Sequence, residues 1–66
     1  MAQPRQLPDP IREWLRALVE RDGIPAAGRA LGLADATIAR AAGGLVVQSG
    51  TIALIEAAYR TASEAA

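Results

Sequence analysis

From Ile11 onward, apolar residues recur at helical spacing. Ile11, Trp14, Leu15, Leu18 and Val19 share one face, with Arg12, Glu13, Arg16 and Glu20 opposite. The pattern predicts a first, amphipathic helix. Asp9-Pro10 is its start: Asp accepts backbone N–H bonds as an N-cap, and proline tolerates the first helical position. Asp22-Gly23 ends it, with Gly23 suited to a left-handed cap. Ile24-Pro25 opens a second, shorter helix running to about Leu31, with Ile24, Ala27, Ala30 and Leu31 inward. Gly32 stops this helix and Leu33 turns back toward the core. A third helix, Asp35 to Ala42, offers only Ile38 and Ala41 to a core. Its other side chains, Asp35, Ala36, Thr37, Ala39 and Arg40, are small or polar, which leaves one side free for a partner.

Gly43-Gly44 ends the third helix, and Leu45 to Gly50 reads as a loop. Ser49 or Thr51 caps a fourth helix, Thr51 to about Ala62, with Ile52, Ile55, Ala58 and Tyr59 inward and Leu54 off that face. Residues Met1 to Pro8 carry two of the four prolines and two glutamines, and read as a flexible arm. Ser63 to Ala66 reads as a frayed end. There are no repeats, no strand alternation and no heptad run. The expectation is an all-α domain over residues 9–62, four short helices around one small core.

Length and composition narrow this picture. Sixty-six residues make one domain near the low end of what folds unaided. Without cysteine or histidine the chain has neither disulfides nor a thiolate- or imidazole-based metal site, so packing must supply its stability. No cofactor and no small-molecule ligand are expected. The same absence disfavours an enzyme, because no close constellation of Asp, Glu, Ser, Thr or Tyr replaces those groups. No apolar run approaches the roughly 18 residues of a membrane span, and MAQPRQLPDP lacks a signal-peptide stretch, so a cytoplasmic protein is expected. Arginine supplies all seven cations against seven carboxylates. Nucleic-acid binders usually carry a basic excess, so any such role here depends on how charge is arranged.

The stretch Ala27 to Arg40, AGRALGLADATIAR, carries the most information. Gly28 stands four positions before Gly32, Leu33 follows at once, and Thr37-Ile38 comes five positions after Gly32. This is the spacing of a helix-turn-helix, in which two helices cross at about 90–120° through a tight turn. A large side chain at Gly28 would push the helices apart, and Gly32 takes a positive φ at little cost. The stretch resembles the helix-turn-helix of phage repressor/Cro-like (XRE-like) domains, with similarity to the LacI-like motif, A-x-x-x-G-[VL]-S-x-x-T-[VI]-S-R. Gly28 takes the alanine position; Gly32, Leu33, Thr37, Ile38 and Arg40 match; Ala34 and Ala39 stand where serine is usual. Gly44, Val46-Val47 and Thr51-Ile52 extend the likeness, which spans roughly Ile11 to Ala62. The fold it implies is lambda-repressor-like, with four or five helices; this chain has room for four.

The resemblance also implies a function. The third helix enters the major groove of double-stranded DNA, with Thr37 and Arg40 the leading contacts. Arg40 either reads guanine or grips a phosphate. Asp35 either accepts from a cytosine amino group or caps its helix in place of Ala34, and Ala36 touches a thymine methyl. Arg29, Gln48, Ser49 and Thr51 are phosphate candidates. Such a domain is expected to act as a homodimer on a palindromic operator, because one copy makes few contacts. Val46, Val47 and Tyr59 are the candidate dimer residues, although Tyr59 and Leu45-Val46-Val47 serve equally as core. The implied role is a small bacterial or phage transcriptional regulator. The alternative is a protein-interaction module or antitoxin-like accessory protein on the same fold.

Overall fold

The computed structural model of the chain describes residues 4–65. Four helices follow one another: α1 (Asp9–Asp22), α2 (Ile24–Leu31), α3 (Asp35–Ala42) and α4 (Ser49–Ala65). The protein is all-α, and the described residues contain no strand beyond one isolated antiparallel bridge between Arg5 and Val47.

The core is a meeting of single faces. Leu15 from α1, Ile38 from α3 and Ile55 from α4 are completely enclosed, and Leu7, Ile11, Ala27, Ala41, Val47 and Ile52 complete the buried cluster. Burying one large aliphatic side chain contributes about 1.5–3 kcal/mol, so these few residues carry most of the packing energy. No polar side chain is buried among the described residues. Around this centre α1 packs on the other three helices and α2 on α1, α3 and α4, whereas the backbones of α3 and α4 make no close approach to each other. Trp14 and Tyr59 seal one flank, edge to face with ring centroids 5.8 Å apart at 73°, a geometry that aromatic quadrupoles favour.

Glycines set the corners, each differently. Gly23 alone links α1 to α2: its N–H bonds Val19 O at 2.8 Å, and its own carbonyl accepts from Ala27 N at 3.0 Å. Its φ of 88° and ψ of 159° are a glycine-only extended conformation, not the left-handed cap expected from the sequence. Gly32, at φ 70° and ψ 32°, is the left-handed cap of α2. Leu33 N then bonds Gly28 O at 2.9 Å, and after α3 the same pattern recurs as Leu45 N bonds Arg40 O at 3.0 Å across a positive-φ Gly44. Both helices thus close with the backbone bonds of a Schellman-type terminus, which turns the chain sharply without a long loop.

Four further expectations are corrected. Asp9 is the first residue inside α1, not its cap; Pro8 takes the cap position with no side-chain bond, and the Asp9 carboxylate instead pairs with Arg12 at 2.9 Å. The arm expected through Pro8 is anchored over its described part, because Leu7 is 2% exposed and Arg5 is bridged to Val47. Met1 to Gln3 lie outside the described residues. Helix α4 starts at Ser49 and continues to Ala65, so it takes in two residues of the expected loop and most of the expected frayed end; Ala66 lies outside the described residues. Asp35 makes no capping bond: Ala34, extended at φ −67° and ψ 152°, holds the cap position of α3.

Candidate functional site

An open groove of about 460 Å³ lies between α3 and the start of α4, with the segment between them in its lining. Thr37 and Arg40 line it from α3, one helical turn apart on the same face. Thr51 lines it from the first turn of α4 and Gln48 from the residue before that helix, and Pro4, Val46 and Val47 complete it. The lining combines a guanidinium, two hydroxyls and a carboxamide, all able to hydrogen-bond a polar partner. It includes one cation and no carboxylate.

Arg40 is fixed at both ends. Its carbonyl accepts from Leu45 N at 3.0 Å, and its Nη2 donates to the Val46 carbonyl at 3.2 Å. The guanidinium is therefore laid along the groove, while its remaining N–H groups have no described protein acceptor. The same loop is held from the other side by main chain. Arg5 N donates to Val47 O at 3.0 Å, and Val47 N donates to Arg5 O at 2.9 Å.

Charge is distributed unevenly over the neutral chain. Arg12 pairs with Asp9, Arg21 with Asp22 and Arg60 with Glu56, all on α1 and α4. Arg5, Arg16, Arg29 and Arg40 have no ion-pair partner among the described residues. Of these four, Arg40 lines the groove; Arg5 meets the same loop through main chain alone.

The groove thus brings Thr37, Arg40, Gln48 and Thr51 together and leaves other candidates outside. Asp35 and Ala36 are exposed in the first turn of α3, Arg29 is exposed on α2, and Ser49 is half-buried at the start of α4; none lines the groove. Of the three dimer candidates, Val47 is withdrawn: its side chain is 6% exposed and belongs to the core. Val46 is about half exposed at the groove, and Tyr59 is half-buried against Trp14. Sequence reasoning missed Pro4 as a wall of the groove. No local pattern marks this segment as packed, since Leu7 is its one apolar side chain with a place in the core and stands between Gln6 and Pro8.

A second hollow of about 430 Å³ opens between α1, α2 and α4, walled mainly by Trp14, Leu18, Leu31 and alanines. It is apolar, with Arg21 its one charged neighbour. Among the described residues no group of His, Cys, Asp and Glu is arranged to hold a metal ion, and no helix is long and apolar enough to cross a membrane. No family model matches the chain, and no curated protein or solved structure matches it.

Proposed function

We propose that this protein is a sequence-specific DNA-binding regulator of the phage repressor/Cro-like kind, reading the major groove with α3. One observation carries the reading: Thr37, Arg40, Gln48 and Thr51, chosen from sequence as DNA contacts, line one groove with a cation and no carboxylate. Helix α3 buries only Ile38 and Ala41, so the side chains between them face outward. In this role Arg40 and Thr37 touch base edges, with Asp35 and Ala36 beside them at the helix start. Gln48, Ser49, Thr51 and Arg29 hold the phosphates that set the register. The protein works in the cytoplasm without a cofactor and is not an enzyme.

The reading includes a twofold dimer on a palindromic operator, since one small domain falls short of the roughly 1,000–2,500 Å² that specific DNA interfaces bury. The exposed Leu45, Val46 and Leu54 supply apolar surface for a second copy. The apolar hollow beside Trp14 favours one other reading, a module that binds protein on the opposite elements. Selection of bound sequences from a random duplex pool tests the main reading. Enrichment of a two-fold symmetric motif supports it; a pool that stays random after repeated selection rejects it.

A further inference from the structure

We propose that Arg12 of α1 is a positioning residue for the groove: its side chain braces Gly44, and Gly44 leads the loop that holds the Arg40 guanidinium. The inference rests on the DNA-binding reading above. The Arg12 side chain is only 27% exposed, whereas Arg16 and Arg21 on the same helix stand out in water. Its Nη2 is held by Asp9 at 2.9 Å. Its Nη1 and Cδ lie 3.4 and 3.7 Å from the point where a Cβ on Gly44 would stand. Stem and fork of the arginine therefore lie over Gly44, two residues beyond the end of α3, where the chain turns at φ 83°.

That turn is the point from which the loop reaches Arg40. Leu45 N bonds Arg40 O at 3.0 Å, and Val46 O accepts from Arg40 Nη2 at 3.2 Å. Leu45 and Val46 are both about half exposed, so their own burial does not fix them. The loop is instead held at its flanks, by the buried and bridged Val47 on one side and by Arg12 over Gly44 on the other. A guanidinium tied to a fixed loop meets its partner already oriented, which lowers the ordering cost of the contact. Arg12 does not line the groove, and its charge is paired with Asp9. Its effect on binding thus passes through Arg40 and not through a phosphate of its own.

The test compares wild type with Arg12→Ala, Arg12→Lys, Asp9→Asn, Arg40→Ala and, as a control, Arg16→Ala. Amide hydrogen exchange at Leu45 is read by NMR beside the thermal transition. Fluorescence anisotropy gives binding to the selected duplex and to a scrambled one, over salt from about 50 to about 200 mM. Arg12→Ala is expected to speed exchange at Leu45 by about 5-fold, the most that a partly exposed ion pair usually holds, with a thermal transition close to wild type. The ratio of selected to scrambled affinity should fall by up to the same factor, because specific binding scales with the fraction of loop already closed. The salt slope should match wild type. Arg12→Lys, which keeps stem and charge, should restore most of both losses, and Arg16→Ala should show neither. Asp9→Asn should also lower the ratio, although loss of a carboxylate would by charge alone strengthen binding to any duplex. Unchanged exchange or an unchanged ratio in Arg12→Ala, with Arg40→Ala impaired, overturns the Arg12 assignment and leaves the DNA reading standing. A shallower salt slope with the ratio intact makes Arg12 a phosphate contact and overturns it. Faster exchange throughout the core with a lowered thermal transition also overturns it. Failure of wild type to bind any duplex overturns both.

Discussion

A Cβ placed on Gly28 would stand 2.7 Å from the carbonyl oxygen of Leu33, closer than real Cβ atoms approach backbone. The contact arises because Leu33 N bonds Gly28 O and folds the turn back over α2. Asp35 Oδ1, 3.3 Å from the same point, closes the other side. The resembled motif carries alanine at this position, yet the turn here is tight enough that only glycine fits without movement. Gly28→Ala should therefore destabilise the protein by about 1–3 kcal/mol, against the usual gain from removing a helical glycine. Gly50, in α4 with nothing within 4 Å of its Cβ position, is the control. Gly50→Ala should stabilise by about 0.5 kcal/mol. Urea denaturation of both variants gives opposite signs if the close approach is real.

Leu7→Ala should cost about 2–4 kcal/mol, the loss expected when a buried leucine is cut back. Leu7 is as enclosed as Ile52, 2% exposed, although it precedes the first helix. A flexible arm would lose nothing measurable, so the urea midpoint of this one variant separates an anchored segment from a loose one.

The helix limits were legible where punctuation and periodicity coincided. Ile24-Pro25, Gly32 and Gly43-Gly44 bracket α2 and α3, and the expected limits of both match the structure. Leu7 was not legible, because one apolar residue between prolines and glutamine has no period, and only the tertiary bridge from Arg5 to Val47 gives it a place. The start of α4 was missed for a related reason: glycine at position 50 reads as a breaker, but the helix tolerates it in its first turn. Thr37 and Arg40 were named from a linear motif, and Gln48 and Thr51 as phosphate candidates around the loop after it; their convergence on one groove is a tertiary arrangement that no local signal encodes.

Arg21 holds Asp22 by two bonds, Nε to Oδ1 at 3.0 Å and Nη2 to Oδ2 at 2.9 Å. These hydrogen bonds, with the charge of Arg21, keep the Asp22 carboxyl below the ordinary carboxylate range. A depressed folded-state pKa adds stability that is present above the unfolded value and lost as pH falls through the folded one. The two residues are sequence neighbours and solvent-exposed, so the pair also forms in the unfolded chain and is screened by salt. An NMR titration of Asp22 should give a low midpoint that rises in Arg21→Ala and in concentrated salt. The thermal transition should barely differ between wild type and Arg21→Ala at neutral pH. A large drop would mean the pair braces the α1–α2 corner.

Arg40 distinguishes base reading from phosphate gripping at the groove. Its Nη2 is spent on Val46 O at 3.2 Å, a bond to an exposed loop that costs little to lose. Arg40→Ala should therefore fold normally, with a thermal transition close to wild type. If the free N–H groups read a guanine, the variant loses about 1–3 kcal/mol at one base pair and treats all four bases there alike. Thr51→Ala and Gln48→Ala, which line the groove from α4 and from the residue just before it, should instead weaken binding uniformly across sequences. Binding measured on duplexes that differ only at the preferred guanine separates the two patterns. Retained preference in Arg40→Ala, with a uniform loss and a shallower salt slope, would assign Arg40 to a phosphate and leave Thr37, Asp35 and Ala36 to carry the sequence reading.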